Sequence, residues 1–220
     1  MNNIDDTICA LATGGSVSAI AIIRISGKEA INITNKIFSK NIKDVQTHTI
    51  HFGAIKEKKE TIDEVLVSVF KGNKSYTGEE TIEITCHGSL YIQNKIIQLL
   101  IKKGCRMASA GEFTLRAFKN GKIDLSQAEA VADLIASSSK SEQQNAIKQL
   151  KGGFSKKLEK LRNKLIDFGS LIELELDFSE EDVEFADRKE FLSLLNHIKL
   201  ELENLIKSFQ LGNVMKNGIP

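Results

Sequence analysis

Glu80-Thr81-Ile82-Glu83-Ile84-Thr85-Cys86 decides the architecture of the first half of the chain. Thr81, Glu83 and Thr85 fall on one face, and Ile82, Ile84 and Cys86 on the other. That is the period-two pattern of a strand with one buried side. Working outward, residues 62–70 alternate again, with Val65, Val67 and Val69 on one face, and residues 18–25 are dense in Ile and Ala and read as a buried strand. Residues 28–38 read as a short helix with Ala30, Ile31 and Ile37 as its apolar stripe. Residues 90–101 read as a longer helix that Gly104 stops. Strands and helices interleave, so this half is an α/β or α+β domain.

The second half has a different period. Asp124 followed by Gln127 is a capping-box pattern, and Ala128, Val131, Ala132 and Ile135 then share one helical face. After a break at Gly152-Gly153, the apolar positions Phe154, Leu158, Leu161, Leu165, Phe168 and Ile172 alternate four and three apart. Phe191, Leu195, Ile198, Leu202, Leu205 and Phe209 repeat the spacing. These are long amphipathic helices whose seams pack in a bundle. Between them Glu173, Glu175, Asp177, Glu180, Glu181, Asp182, Glu184 and Asp187 occur with no base among them. Mutual repulsion predicts a solvated connection, with Asp187 capping the next helix. The expected fold class is α+β: a mixed domain over 1–118, then the helices of a bundle over 119–220.

Composition narrows the function. The 220 residues are 41% hydrophobic and 27% charged, the balance of an ordinary globular chain rather than a disordered, collagenous or disulfide-stapled one. Thirty basic side chains against 29 acidic leave a net charge of +1, so no global field draws in nucleic acid. Local clusters exist at Lys102, Lys103 and Arg106, and at Lys156, Lys157, Lys160 and Arg162, and solvated helix faces account for them. Cys9, Cys86 and Cys105 form no paired motif, which predicts reduced thiols and a cytoplasmic address. The uncharged stretch from Thr7 to Ile23 is too short to span a bilayer and follows acidic residues, so neither a membrane span nor a signal peptide is expected.

No phosphate loop of the form GxxxxGK[ST] occurs, nor any HExxH or paired CxxC. His48 and His51, read as strand residues, point to opposite faces and make a poor metal pair. Cys86 and His87 face apart for the same reason and make a poor nucleophile–base pair. Two segments stand out. In the first, residues 75–88, Glu83 sits between two isoleucines. A carboxylate there requires either a wet face on an edge strand or a donor partner. In the second, residues 111–135, a short helix leads into an Asn120-Gly121 turn, from which Lys122 emerges before the capped helix.

These segments resemble the tRNA-modification GTPase family called MnmE or TrmE. The resemblance runs the whole chain. It rests on Asp6-Thr-Ile-Cys-Ala-Leu-Ala-Thr13, Ile22-Ile-Arg-Ile-Ser-Gly27, Tyr76-Thr-Gly-Glu79, Cys86-His-Gly88 and above all the block from Gly111 to Ile135. It implies an N-terminal domain like the tetrahydrofolate-binding domains of aminomethyltransferases, which binds 5-formyl- or 5,10-methylene-tetrahydrofolate and forms a homodimer with the folate sites near the interface. It implies that the family's folate-binding arginine, acidic ligand and turn lysine fall on Arg24, Glu83 and Lys122. The paired donor edge of a pterin suits a carboxylate such as Glu83, and Arg24 and Lys122 suit carbonyl or carboxylate oxygens. With an FAD-dependent partner (MnmG, also called GidA), the family adds a carboxymethylaminomethyl-type group at C5 of the wobble uridine of certain tRNAs, the folate supplying the carbon.

The resemblance also implies a GTPase domain inserted in the helical one, carrying GTP, Mg²⁺ and K⁺, with the family's catalytic cysteine beyond it. Neither motif occurs in these 220 residues, so the expectation is a chain with no catalytic or metal-binding residue of its own and an incomplete bundle. Where the family has a Pro-Pro-Gly-Arg-Gly-Gly-type loop, this chain has Gly14-Gly-Ser-Val-Ser-Ala19, without the prolines or the loop arginine. That difference favours a second expectation, a dimerisation and docking scaffold with a weak or vacant folate site.

Overall fold

A computed structural model of the chain describes residues 6–177 and 188–217. The chain divides into two compact units, residues 1–146 and 147–220. The first is built on a six-stranded sheet. Its strands are β1 (Ile8–Leu11), β2 (Ile20–Ser26), β3 (Thr49–Glu57), β4 (Glu60–Phe70), β5 (Thr81–His87) and β6 (Arg106–Met107). The spatial order is β3-β4-β5-β2-β1-β6, antiparallel throughout except where β6 runs parallel to β1.

The alternation read in the sequence is the alternation of the two faces. Cys9, Ile23, Ile25, Val65, Val67, Val69, Ile82 and Ile84 are buried on one side. Against them pack Ala30 and Ile33 of helix α1 (Ala30–Asn35) and Ile96, Leu99 and Leu100 of helix α2 (Leu90–Lys102). Each fully buried aliphatic side chain of this kind contributes about 1.5–3 kcal/mol of transfer free energy. Helix α1 is shorter than the pattern over 28–38 predicts. Ile37 and Phe38 stay in the core, but Phe38 leaves the helix to bridge Ile55 of β3.

The other face is partly uncovered. Ile20, Ile50, Phe52 and Leu66 are exposed on it. At one end it is closed by a cluster of buried hydroxyls, Ser26, Thr77 and Thr81, whose oxygens lie 2.7 Å (Ser26–Thr77) and 3.1 Å (Thr77–Thr81) apart. Thr77 belongs to the loop before β5, which therefore folds across the sheet at that end. At the opposite end Gly88 lies so close to the Ser18 carbonyl that any Cβ there would overlap it.

Helices α3 (Glu112–Lys119) and α4 (Leu125–Ala136) follow, and the expected capping box opens α4: Asp124 accepts from the Gln127 N–H, and the Gln127 side chain accepts from the Asp124 N–H. Helix α5 (Lys140–Leu150) ends before Gly152, whose φ of 73° needs a residue without Cβ strain.

The second unit contains helices α6 (Gly153–Asp177) and α7 (Arg188–Asn217). Phe168 stacks on Phe191 with ring centroids 4.4 Å apart, and Lys157 pairs with Glu201 at 3.7 Å. The predicted seams thus meet, although Leu165, Leu195 and Leu202 remain exposed. The acidic connection is shorter than read: Glu173, Glu175 and Asp177 belong to α6, where helical propagation overrides their repulsion. Residues 178–187, with Glu180, Glu181, Asp182, Glu184 and the expected cap Asp187, lie outside the described residues, as do the side chains of Phe154, Leu205 and Phe209. No helix among the described residues is long and apolar enough to cross a membrane.

Candidate functional site

Antiparallel pairing of β2 with β5 sets Arg24 directly opposite Glu83. Both side chains rise from the face of the sheet that the core helices do not cover. The Arg24 guanidinium donates to Glu83 Oε1 from Nε at 2.8 Å and lies within 2.7 Å of it through Nη2. Both contacts use one carboxylate oxygen, which leaves Oε2 open to another donor. The pair is about three-quarters buried, at 28% and 23% side-chain exposure. β5 is an interior strand, so the edge-strand expectation for Glu83 does not hold. The partner explanation does: a cross-strand arginine, 59 residues away in sequence, offsets the cost of a carboxylate in mid-sheet.

Two aromatic rings flank the pair. The Arg24 guanidinium carbon lies 5.5 Å from the Tyr76 ring centroid and 5.6 Å from that of Phe113, both within cation–π range. Tyr76 comes from the loop before β5 and Phe113 from α3, and the two elements are tied by a 3.0 Å contact between the Tyr76 and Thr114 hydroxyls. Asn120 Nδ2 also donates to the Thr77 carbonyl at 2.7 Å.

Lys122 leaves the Asn120-Gly121 turn and runs its stem past Gly78, whose φ of 79° and lack of Cβ leave room for it. Its ammonium donates to the Asn73 carbonyl at 2.6 Å. The structure thus brings Arg24 and Glu83 together and fastens Lys122 to the same covering loop, with its charge spent on that loop's backbone. A cleft of about 300 Å³ opens beside it, lined by Asp6, Lys28, Gly72, Gly78, Glu79, Glu80 and Asn120.

An ion network holds the covering elements in place. Arg116 of α3 is 4% exposed. It donates to the Asp6 carbonyl at 2.7 Å, pairs with the Asp6 carboxylate, and reaches Glu79 and Glu112 at 3.3 Å. Arg106 pairs with Asp6 and Glu112 from the other side. Glu79 in turn accepts from the Ser26 hydroxyl at 2.7 Å.

The hydrogen bond from Arg106 is the main reason the Glu112 carboxyl is held at about 2, against an ordinary value of 4.5. A carboxyl that loses its proton more readily when folded stabilises the fold fully above its unfolded value. That contribution disappears as pH falls toward the folded one. Stability measured by urea denaturation is therefore expected to fall as pH drops from about 4.5 toward 2, and Glu112→Gln should flatten the fall. An equally steep acid limb in the variant would contradict this role.

At the open end of the sheet, Asp63 takes the place of a ladder partner for β5. Its Oδ2 accepts from the His87 backbone N–H at 2.8 Å, and its Oδ1 meets His87 Nδ1 at 2.7 Å. The imidazole is 68% exposed. Cys86 points the other way, into the core, where burial first and the Asp63 charge second push its thiol up to about 11. It is no nucleophile at neutral pH, as the alternation predicts. His48 lies just ahead of β3 at φ 62° rather than in it, edge-on to Phe70 with centroids 5.5 Å apart, and His51 bonds Thr49. Among the described residues no group of His, Cys, Asp and Glu is arranged to hold a metal.

The family described as "GTP-binding protein TrmE N-terminus" matches residues 7–122, and the "MnmE helical domain" matches residues 125–220. The chain belongs to the MnmE family. Relatives named tRNA modification GTPase MnmE match nearly the whole chain, among them those of three bacteria. That of Flavobacterium johnsoniae is 62% identical over 219 residues, covering 98% of this chain and 47% of the relative. That of Flavobacterium psychrophilum is 60% identical, with the same coverage. That of Cytophaga hutchinsonii is 55% identical over 221 residues, covering 100% of this chain and 48% of the relative. The chain spans about half the length of these MnmE relatives.

In this MnmE-family chain four features escape a reading of the sequence: the placement of Tyr76 and Phe113 against Arg24, the Arg106–Arg116 network and the Asp63–His87 pair. Each depends on contacts between residues far apart in sequence, Asp6 with Arg116 among them. Arg106, read with Lys102 and Lys103 as a solvated helix face, stands instead on β6 and pairs with Asp6 and Glu112.

Proposed function

We propose that residues 1–118 bind a reduced folate, 5-formyl- or 5,10-methylene-tetrahydrofolate, in an aminomethyltransferase-like domain, and that residues 119–220 are the helical part of a tRNA-modification GTPase. The observation that carries the reading is the Arg24–Glu83 pair. It is a carboxylate with one open oxygen, raised on an uncovered sheet face and walled by two aromatic rings. That donor set fits a pterin. Glu83 accepts from the ring N–H and 2-amino group, while Arg24 stays as its counter-charge and donor. Tyr76 and Phe113 offer ring faces and exclude water. Lys122 joins the site by exchanging the Asn73 carbonyl for an oxygen of the ligand. The folate, when bound, supplies a one-carbon unit; this chain's residues bind and orient it.

In the whole protein we assign that carbon to the C5 substituent of the wobble uridine of certain tRNAs, installed in the cytoplasm with an FAD-dependent MnmG/GidA-type partner. Hydrolysis of GTP with Mg²⁺ and K⁺ belongs to the remaining half of the family's length. Exposed Ile20, Ile50, Phe52 and Leu66 on one sheet face support a homodimer through this domain. Light scattering at micromolar concentration is expected to give twice the 24.4 kDa protomer mass, and a single-protomer mass refutes the dimer.

A second reading, a docking scaffold with a vacant site, draws on two observations. Gly14 to Ile20 are exposed, with open space where a Cβ on Gly14 or Gly15 would point, and Lys122 is already satisfied by Asn73. Titration with 5-formyl-tetrahydrofolate separates the two: saturable binding supports the folate site, and its absence supports the scaffold.

A further inference from the structure

The β3–β4 hairpin ends in Lys56-Glu57-Lys58-Lys59-Glu60, and the fold brings further lysines to it from two other elements. Lys58 takes the turn at φ 57°, and both Lys58 and Lys59 are exposed. From α2, Lys95 and Lys102 stand about two helical turns apart on one side of the helix. They reach Glu57 at 2.8 and 3.0 Å. Lys103 ends the same helix and is exposed. On the other flank, the Lys56 N–H donates to the Ile37 carbonyl at 2.8 Å. That bond sets exposed Lys36 and Lys40 beside the same corner of the sheet.

The acids of the hairpin do not cancel this charge. Glu57 spends both carboxylate oxygens on Lys95 and Lys102, and Glu60 is the other acid of the tip. Lys56, Lys58, Lys59 and Lys103 enter no ion pair among the described residues. The corner therefore attracts a polyanion locally, although the whole chain carries only +1. No aromatic or aliphatic residue interrupts positions 56–60, so the tip has nothing to stack on a base or to sink into lipid. Ammonium groups on flexible stems suit phosphates, as point charges. From Ser68, which pairs with Glu83, to Glu60 at the tip, β4 runs about 27 Å. A surface that far from the Arg24–Glu83 pair positions a large ligand and does not meet its reacting atoms.

We propose that this lysine corner is a docking surface for the sugar–phosphate backbone of tRNA, holding the body of the molecule while its wobble base is treated elsewhere. This rests on the tRNA-modification reading above and deepens it by naming a surface. The contacts are to phosphates, so binding is salt-sensitive and indifferent to base sequence. The lysines lie far apart in sequence, and the hairpin and α2 bring them together.

The test is the fluorescence anisotropy of a labelled, unmodified tRNA transcript titrated with the 220-residue chain between about 50 and 200 mM KCl. Lys58→Glu/Lys59→Glu/Lys103→Glu reverses unpaired charges at the corner. Lys156→Glu/Lys160→Glu/Arg162→Glu makes the same change of net charge on α6, and circular dichroism verifies that both variants are folded. The expected result for the corner variant is a loss of at least about tenfold at low salt, with a salt slope shallower by about two to three. The α6 variant should lose less than about threefold. Equal losses in the two variants would reduce the effect to net charge, and no loss in the corner variant would put the contact elsewhere. Either result overturns the surface and leaves the tRNA-modification reading standing. Binding of the unchanged chain to phosphatidylcholine–phosphatidylserine vesicles but not to tRNA would make the corner a membrane contact and overturn the proposal. Binding to neither overturns it too, and the tRNA-modification reading is then decided by the folate titration, in which these lysines take no part.

Discussion

Arg116→Met is expected to lower the stability of the chain by about 3–5 kcal/mol, the cost of leaving buried charges uncompensated. Arg116 is nearly inaccessible and is the hub at which Asp6, Glu79 and Glu112 converge. Its removal takes away four kinds of contact at once and leaves three carboxylates facing one another with only Arg106 between Asp6 and Glu112. Methionine fills the volume, so a cavity does not account for the loss. Lysine restores one charge but not the planar fork that serves several acceptors together, so Arg116→Lys should recover only part of it. Urea denaturation near neutral pH measures the effect. A loss below about 1 kcal/mol would place the network among surface ion pairs of little consequence.

The same hub has a functional consequence. Glu79 and Glu112 bracket the covering loop and α3, the two elements that bring Tyr76 and Phe113 over Arg24. Weakening the hub loosens the aromatic walls of the candidate site without touching Arg24 or Glu83 themselves.

The sheet was legible because alternation is a local signal: β2, β4 and β5 fall where Ile and Val recur every second residue, and the capping box at Asp124 is visible within four positions. The family block from Gly111 to Ile135 pointed to the correct family for the same reason, since it is a contiguous string. What the sequence did not reveal is register. Arg24 and Glu83 each stand out singly, yet nothing local says they are cross-strand partners. The strand order that makes β5 interior rather than an edge depends on pairings with β2 and β4. Asp6 and Arg116, 110 residues apart, and Asp63 and His87, 24 apart, are hidden in the same way. Lys122 was picked out by position, but its engagement with the Asn73 backbone depends on how the loop before β5 folds back.

Glu83→Gln carries the second large effect. Glutamine keeps the shape of the side chain but removes the charge that faces Arg24, and it presents an amide N–H₂ to the donor edge of a pterin. Losing a charge-assisted pair of hydrogen bonds in a partly buried site weakens binding by about 1.5–3 kcal/mol, or roughly 10- to 150-fold. The variant should remain folded, because the pair is partly solvated and Arg24 retains its two aromatic neighbours.

The measurement that bears most directly on the account is therefore an equilibrium titration of the chain with 5-formyl-tetrahydrofolate beside Glu83→Gln, with thermal melts to verify that both are folded. The account predicts saturable binding by the unchanged chain and a loss of at least about tenfold in the variant. Equal affinity in the two proteins would contradict it, because the carboxylate opposite Arg24 would then play no part in holding the ligand.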